Sequence, residues 1–238
     1  RRLPRRTRYQ DGGGLEGARA AAANAGIDDR HETDIVTIDG VAHWRRRAVL
    51  RDRRFWLGLV GLTMVPGFSV TGLLFHQIYL AELAGVTLGG WAANYVVYAA
   101  CAVAGTLISG QLVDRFTGRR VAAHLMLPIA LACLSLWLVE GGAGVLLFFV
   151  FFGLASGMPH TAVSATMAEM YGTRYLGEVK AIFLPLGVFS SALSPMAMGM
   201  LIDAGYGMAT LMTLNIALAL LAQAGATWML TKPPAGQT

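Results

Sequence analysis

Six apolar stretches dominate the sequence, and each is close to the roughly 20 residues that a helix needs to cross the hydrocarbon core of a bilayer. They cover residues 56–80, 91–113, 121–139, 144–167, 181–202 and 207–230. Short polar connectors separate them, so consecutive helices are expected to run antiparallel. Because a backbone in lipid must satisfy its own hydrogen bonds, the pattern predicts an all-α fold, an integral membrane helical bundle of six transmembrane helices.

Charged residues are scarce and unevenly placed. They make up 14% of the chain, against 55% apolar residues, whereas a soluble domain has about 25% charged residues. Residues 1–55 contain 13 of the 19 Lys and Arg and 8 of the 14 Asp and Glu, so they carry the whole net charge of +5. This distribution indicates a basic tail beside a membrane rather than a nucleic-acid-binding surface. We therefore expect the lipid bilayer as a partner, and no nucleic acid.

Two domains are predicted, a linker at residues 1–54 and a six-span transmembrane domain at residues 55–238. The low apolar content of the linker favours a chain without fixed structure. Within it, residues 16–24 are compatible with a short helix, and Ile35–Ile38 with a short strand that ends in a turn. Residues 44–55 are basic and amphipathic and are expected to lie on the membrane surface. The side chains available to that interface are Trp44, Val49, Leu50, Phe55 and Trp56.

The distribution of Lys and Arg predicts the orientation of the helices. Six helices place both chain ends on one side of the membrane, and all 19 Lys and Arg fall on that side. The connectors there contain Arg115, Arg119, Arg120, Arg174 and Lys180, whereas the opposite connectors contain Glu82, Glu140 and Asp203. Basic loops are retained in the cytoplasm. We expect a multi-pass protein of the plasma (cytoplasmic, or inner) membrane with both ends of this chain cytoplasmic.

The connector between the second and third stretches has an unusual order of residues. From Gly110 to Arg120 it reads Gly-Gln-Leu-Val-Asp-Arg-Phe-Thr-Gly-Arg-Arg. Gly110 allows another helix to approach closely, and Gly118 permits a tight reversal with positive φ. Asp114 lies where the hydrocarbon ends, so it needs a partner such as Arg115 or the N-terminus of a neighbouring helix. The alternative is a charged loop that only sets the topology.

This connector resembles the signature loop of the major facilitator superfamily of secondary transporters, with Thr117 as one additional residue. By that resemblance, Gly110, Asp114, Arg115, Gly118, Arg119 and Arg120 form a conformational-switch loop. The segment from Glu169 to Arg174 resembles a Glu…Arg element in the second cytoplasmic loop of some members. A member has twelve spans in two halves, each a 3+3 repeat. The chain resembles the C-terminal half preceded by the central cytoplasmic loop, and because it begins with Arg1 we expect a fragment.

The resemblance also implies the function. Such a carrier moves a small solute by alternating access, in secondary active or facilitated transport, for example symport with a coupled proton. It implies no enzyme activity and no cofactor. The expected partners are the small-molecule solute, the proton and the N-terminal six-span half of the same carrier.

Six polar residues are candidates for the solute or proton pathway. They are His160, Asn94, Tyr98, Ser164, His76 and Gln77. An ionisable group near the middle of a span is expensive, and an imidazole changes its charge near neutral pH, which makes His160 a candidate for proton coupling. The alternative is a neutral histidine bonded to Thr161, to Ser164 or to the carbonyl freed by Pro159.

The other five candidates have alternatives of their own. Asn94, Tyr98 and Ser164 belong to stripes of small or polar residues, which form either helix-packing faces or cavity walls. His76 and Gln77, near the outer end of the first stretch, are alternatively an interfacial polar pair. Cys101 and Cys133 fall inside apolar runs and behave as small hydrophobic residues, so no disulfide and no metal site are predicted.

Two other classes of protein remain open. Residues 154–157 read Leu-Ala-Ser-Gly and resemble the Gly-x-Ser-Gly of six-span intramembrane serine proteases, with Leu154 in place of the first glycine. His160 follows Ser156 on the same helix, whereas the base of such an enzyme comes from another span. The third class is a membrane scaffold that transports nothing.

Overall fold

The computed structural model describes residues 34–38 and 40–231. Within this part of the chain, six helices are long and apolar enough to cross a membrane, which confirms the predicted all-α membrane bundle. Spans 1 to 6 are Phe55–Phe75, Leu88–Phe116, Gly118–Leu138, Gly141–Tyr171, Leu176–Asp203 and Met208–Leu230. The possible helix at residues 16–24 lies outside the described residues.

Three of the six spans are interrupted. Span 1 begins with a π-helical turn, Phe55–Leu59, and continues as helix Gly61–Phe75. It ends there because His76 leaves the helical region (φ −96°, ψ 25°), and a separate helix, Gln77–Leu83, follows. The first apolar stretch therefore forms a shorter span than residues 56–80.

The second and third spans are each built from two helices. Span 2 consists of helices Leu88–Ala93 and Tyr95–Phe116. Span 3 consists of Gly118–Ala122 and Leu127–Leu138, and Pro128 occupies the first turn of its second helix, where a missing N–H costs no hydrogen bond. Spans 4, 5 and 6 are continuous helices.

The packing of the spans has the symmetry of a 3+3 repeat. Span 1 packs against span 5, span 2 against span 4, and span 3 against spans 4 and 6, while span 6 also contacts span 1. If span 1 is exchanged with span 4, span 2 with span 5 and span 3 with span 6, each of these contacting pairs becomes a pair that is also in contact. Two equivalent three-span units would produce this pattern.

Glycines allow the two main helix pairs to approach closely. In the pair of spans 2 and 4, a Cβ on Gly153 would lie 2.5 Å from the Tyr98 carbonyl oxygen, and one on Gly157 would overlap the Ala102 carbonyl oxygen. In the pair of spans 1 and 5, a Cβ on Gly67 would lie 2.6 Å from the carbonyl oxygen of Gly187. Small residues at such contacts are the usual means of helix association in lipid.

A β-hairpin precedes the first span. Strand β1, Ile35–Ile38, pairs antiparallel with β2, Val41–Trp44, and Ile35 lies opposite Trp44. Gly40 supplies the positive φ of +77° at the turn. The predicted short strand is therefore confirmed, and the interpretation of this part of the linker as a chain without fixed structure is wrong.

The basic segment after the hairpin packs on the bundle instead of lying freely on the membrane surface. Val49, in helix Arg46–Arg51, and Phe55 are both completely buried. The Trp44 and Tyr171 rings form an edge contact with centroids 5.6 Å apart. The predicted interfacial role is wrong for these apolar side chains because they are part of the core of the bundle, whereas Leu50 and Trp56 remain exposed.

We call this end of the bundle the basic end. It comprises helix Arg46–Arg51, the turn between spans 2 and 3, and the turn between spans 4 and 5. The Tyr171 hydroxyl donates to Asp52 Oδ2 at 3.1 Å, and the Arg45 guanidinium lies 4.7 Å above the Tyr175 ring. The turn between spans 4 and 5 is thus held by the segment that precedes span 1.

Candidate functional site

A cavity of about 500 Å³ lies between spans 1, 2, 4 and 5. Three of the six candidate pathway residues line it: Tyr98, His160 and Ser164. Pro66 and Pro159 also line it, each inside a helix whose backbone bonding it interrupts. Irregular backbone at membrane depth is tolerated beside a cavity, so the two prolines fit this position.

Several polar groups of the cavity wall are not engaged by the protein. Thr63, His160, Ser164 and Lys180 line the cavity, and none of their side chains forms a hydrogen bond or ion pair with another described residue. Tyr98 differs, since its hydroxyl donates to Ser156 Oγ at 2.9 Å, and Ser156 Oγ donates to the Phe152 carbonyl oxygen at 3.0 Å. The cavity therefore presents free donors from three different spans.

His160 is exposed to this space. The bonds considered for a structural histidine, to Thr161, Ser164 or a carbonyl freed by Pro159, are not formed among the described residues. Ser156 and His160 also form no hydrogen bond with each other, so the nucleophile and base that a serine protease needs are not paired here.

Lys180 lines the cavity, although the sequence predicts that it lies in a connector. Span 5 begins at Leu176, before the apolar stretch that starts at residue 181, so Lys180 lies inside the helix and is half-buried. Phe183, Leu184 and Gly187 line the same cavity three, four and seven residues later. That spacing marks one face of a helix and would have placed Lys180 on the cavity face.

The structure does not bring Asn94, His76 and Gln77 into the cavity. Asn94 Nδ2 donates to the Gly90 carbonyl oxygen at 2.8 Å, within the break of span 2. His76 Nδ1 lies 2.9 Å from the Gly72 carbonyl oxygen, and Gln77 Oε1 accepts from the Tyr95 hydroxyl at 2.6 Å. These contacts lie near the break after span 1 and the start of span 2, away from the basic end.

Glu169 holds the loop from Gly110 to Arg120 through two hydrogen bonds. Its Oε1 accepts from the Gly118 backbone N–H at 2.6 Å and its Oε2 from that of Arg119 at 3.1 Å. A carboxylate on the first N–H groups of a helix satisfies donors that have no intrahelical partner. Arg119 Nε in turn donates to the Leu230 carbonyl oxygen at 2.9 Å. The loop is thereby joined to the ends of spans 4 and 6.

Asp114 has a different environment from the one expected. It is exposed, and it forms no hydrogen bond or ion pair with Arg115, with a helix N-terminus or with any other described residue. The acid that binds the N-terminus of span 3 is Glu169. The sequence does not reveal this contact, because Glu169 lies about 50 residues from the loop whose N–H groups it binds.

The reversal in the loop occurs at Thr117, not at Gly118. Thr117 has φ +85°, and Gly118 has no positive φ. Gly118 is required for a different reason, since a Cβ there would lie 2.7 Å from the backbone nitrogen of Thr166. The additional residue of the loop therefore makes the turn, and the glycine allows span 3 to start against span 4.

The remaining residues of the two loops have peripheral positions. Arg115 lies 5.2 Å above the Phe116 ring, and Arg120 is exposed. Gly110 has open space where a Cβ would project. The Arg174 backbone N–H donates to His43 Nδ1 at 3.4 Å, and its guanidinium lies 5.7 Å above the Tyr175 ring. Among described residues Arg174 forms no ion pair with Glu169.

Comparison with known proteins assigns the chain to a family. A family model described as Major Facilitator Superfamily matches residues 11–195, which is most of the chain. A search of curated proteins gives no match. The family comprises membrane transporters, and the six membrane-length helices fit a six-span half of such a carrier. This chain therefore belongs to the Major Facilitator Superfamily.

Proposed function

We propose that this chain forms the C-terminal half of a carrier that moves a small solute by alternating access, and that the cavity between spans 1, 2, 4 and 5 is part of the solute path. The observation that carries the proposal is the set of unengaged polar side chains on the cavity wall, Thr63, His160, Ser164 and Lys180. Polar groups at membrane depth are costly without partners, so a transported solute is a reason for their presence.

The surface of span 2 supports the need for a second half. Val96, Val103 and Leu107 are 75%, 63% and 64% exposed, and they lie on one stripe of the helix. The stripe runs toward Gly110 and Asp114 at the basic end. An N-terminal six-span half packed on this stripe would bring its own charges to Asp114, which has no partner among the described residues.

The linker fits the same proposal. Residues 1–54 would belong to the central cytoplasmic loop, and residues 55–238 to the transmembrane domain. Trp44 of its hairpin contacts Tyr171 at the end of span 4, and Arg45 contacts Tyr175 in the turn between spans 4 and 5. In this arrangement the loop between the halves is attached to the basic end of the bundle.

Reconstitution tests the proposal. The carrier that contains this chain, purified into liposomes, is expected to exchange labelled small solutes across the membrane and to leave peptide substrates intact. Peptide cleavage would favour the protease class. The absence of both activities would favour the scaffold.

The orientation can be measured with single cysteines. In a background of Cys101→Ala and Cys133→Ala, Glu140→Cys is expected to react with an impermeant thiol reagent in intact cells, and Arg120→Cys only after permeabilisation. Both side chains are exposed at opposite ends of span 3. The reason is the distribution of Lys and Arg. The reverse labelling pattern would show that the basic end faces outward.

His160 is proposed to carry the coupled proton. His160→Ala is expected to abolish uphill uptake and to leave solute exchange measurable, because exchange requires no net proton movement. His124→Ala is the matched control, since His124 is exposed outside the cavity and its ring bonds, among the described residues, to the Arg120 carbonyl oxygen. If His160→Ala leaves both uptake and its pH dependence unchanged, the residue has no part in coupling.

A further inference from the structure

Building on the proposed transport function, we propose that the solute is a small organic anion with a single negative charge, and that Lys180 binds its anionic group in the cavity. The charges, the free donors and the walls of this cavity support the assignment.

The fixed charge of the cavity is positive. Lys180 is half-buried and lines the cavity, and no Asp or Glu is among the described lining residues. Glu178 lies two residues earlier on the same helix, is exposed, and forms no ion pair with Lys180. Side chains two positions apart point to different sides of a helix. The ammonium group is therefore not neutralised within the described part of the chain.

A half-buried ammonium group requires compensation. Moving a charge out of water is costly unless an opposite charge or hydrogen-bond acceptors replace the water. The other free side chains of the wall, Thr63, Ser164 and His160, all carry possible donors. A bound anion would accept hydrogen bonds from such groups and neutralise Lys180, whereas a cation would be repelled by it.

The size and the walls of the cavity limit the anion. A volume of about 500 Å³ lies within the range of sites for small molecules. Apolar side chains form much of the wall, among them Val70, Val163, Phe183 and Leu184. One ammonium group among apolar walls matches a monoanion with an apolar body, rather than a multiply charged or strongly hydrated solute.

The test uses acid and amide pairs that differ in charge but hardly in shape. Uptake of propionate and propionamide, and of benzoate and benzamide, is measured in liposomes that contain the whole carrier. The carrier is expected to take up or be inhibited by the acids and not the amides. Lys180→Met is expected to weaken the apparent affinity for the acids by about tenfold or more, because a hydrogen bond to a charged group is lost. Lys180→Arg should largely restore it.

Arg47→Met is the matched control. It removes one positive charge from an exposed residue at the basic end, outside the cavity, and should leave the affinity unchanged. Thermal unfolding of each variant without solute shows whether Lys180 serves the fold. If Lys180→Met lowers the melting temperature and reduces uptake of every solute equally, Lys180 pairs with an acid of the other half and the proposal is wrong.

The outcomes separate this proposal from the proposed transport function. If the carrier transports the amides, or a cation such as choline, and the acids are neither transported nor inhibitory, the anion assignment is wrong and the proposed transport function is retained. No flux of any solute, charged or neutral, would overturn transport itself.

Discussion

Replacing Gly157 with alanine is expected to separate spans 2 and 4 and to lower the melting temperature of the six-span unit. A Cβ at this position would overlap the Ala102 carbonyl oxygen. The overlap is with backbone, so no side-chain rotation relieves it. Overpacking of a well-packed contact costs about 1–3 kcal/mol, and here a whole helix must move.

The contact at Gly157 also contains a hydrogen-bonded bridge that the movement would break. The Thr106 hydroxyl lies 3.1 Å from the Ala102 carbonyl oxygen and 3.3 Å from that of Gly157. On the same helix pair, Ser109 Oγ donates to the Met158 carbonyl oxygen at 2.8 Å. In lipid, each lost bond leaves a polar group without water to replace its partner.

Gly177→Ala provides the control for this prediction. Gly177 lies in span 5, and an added Cβ has nothing within 4 Å. Alanine is favoured over glycine in a helix by up to about 1 kcal/mol, so the control should be neutral or stabilising. The measurement is thermal unfolding of the purified protein in detergent, followed by the fraction that remains monodisperse. Equal melting temperatures for the Gly157 and Gly177 variants would show that spans 2 and 4 do not pack as described.

The second large effect concerns two acids with opposite expected phenotypes. Glu169→Ala is expected to destabilise the fold, because the N–H groups of Gly118 and Arg119 lose their acceptor. Because Gly118 is buried, water cannot replace Glu169 as the acceptor for its N–H. An unsatisfied buried donor lowers the free energy of unfolding by about 1–3 kcal/mol. The melting temperature should fall, and uptake should fall with the amount of folded carrier.

Asp114→Asn should have the reverse pattern. Asp114 is exposed and has no partner within the described bundle, so its charge adds nothing to the stability of this half. If it pairs with the other half in only one state of the transport cycle, losing about 1–2 kcal/mol changes the ratio of the two states roughly tenfold. We expect an unchanged melting temperature, slower uptake and a shifted accessibility of reporter cysteines on the two faces.

Measuring both variants together separates stability from the transport cycle. A fall in melting temperature for Asp114→Asn as large as that for Glu169→Ala would show that Asp114 serves folding. No change in melting temperature, uptake or accessibility for Asp114→Asn would leave the loop as a topological marker.

The class of fold and the arrangement of charge follow from the sequence alone. Six apolar runs of membrane length are a local property, and the cost of exposing backbone to lipid leaves a helix as the only outcome for each run. The loop from Gly110 to Arg120 carries its family resemblance in its own residues. His160 is recognisable as a candidate because an ionisable side chain within an apolar run is conspicuous without any knowledge of its neighbours.

The contacts of these residues follow only from the packing of the helices, because a contact depends on distances between helices that are remote in sequence. Glu169 rather than Asp114 caps the helix at Gly118, since the end of span 4 lies against the start of span 3. Thr117 rather than Gly118 makes the reversal, since Gly118 must sit against the backbone of Thr166. Lys180 lines the cavity because span 5 begins at Leu176. A span predicted from apolarity starts after the last charged residue, whereas a helix extends for as long as its backbone hydrogen bonds and its packing allow.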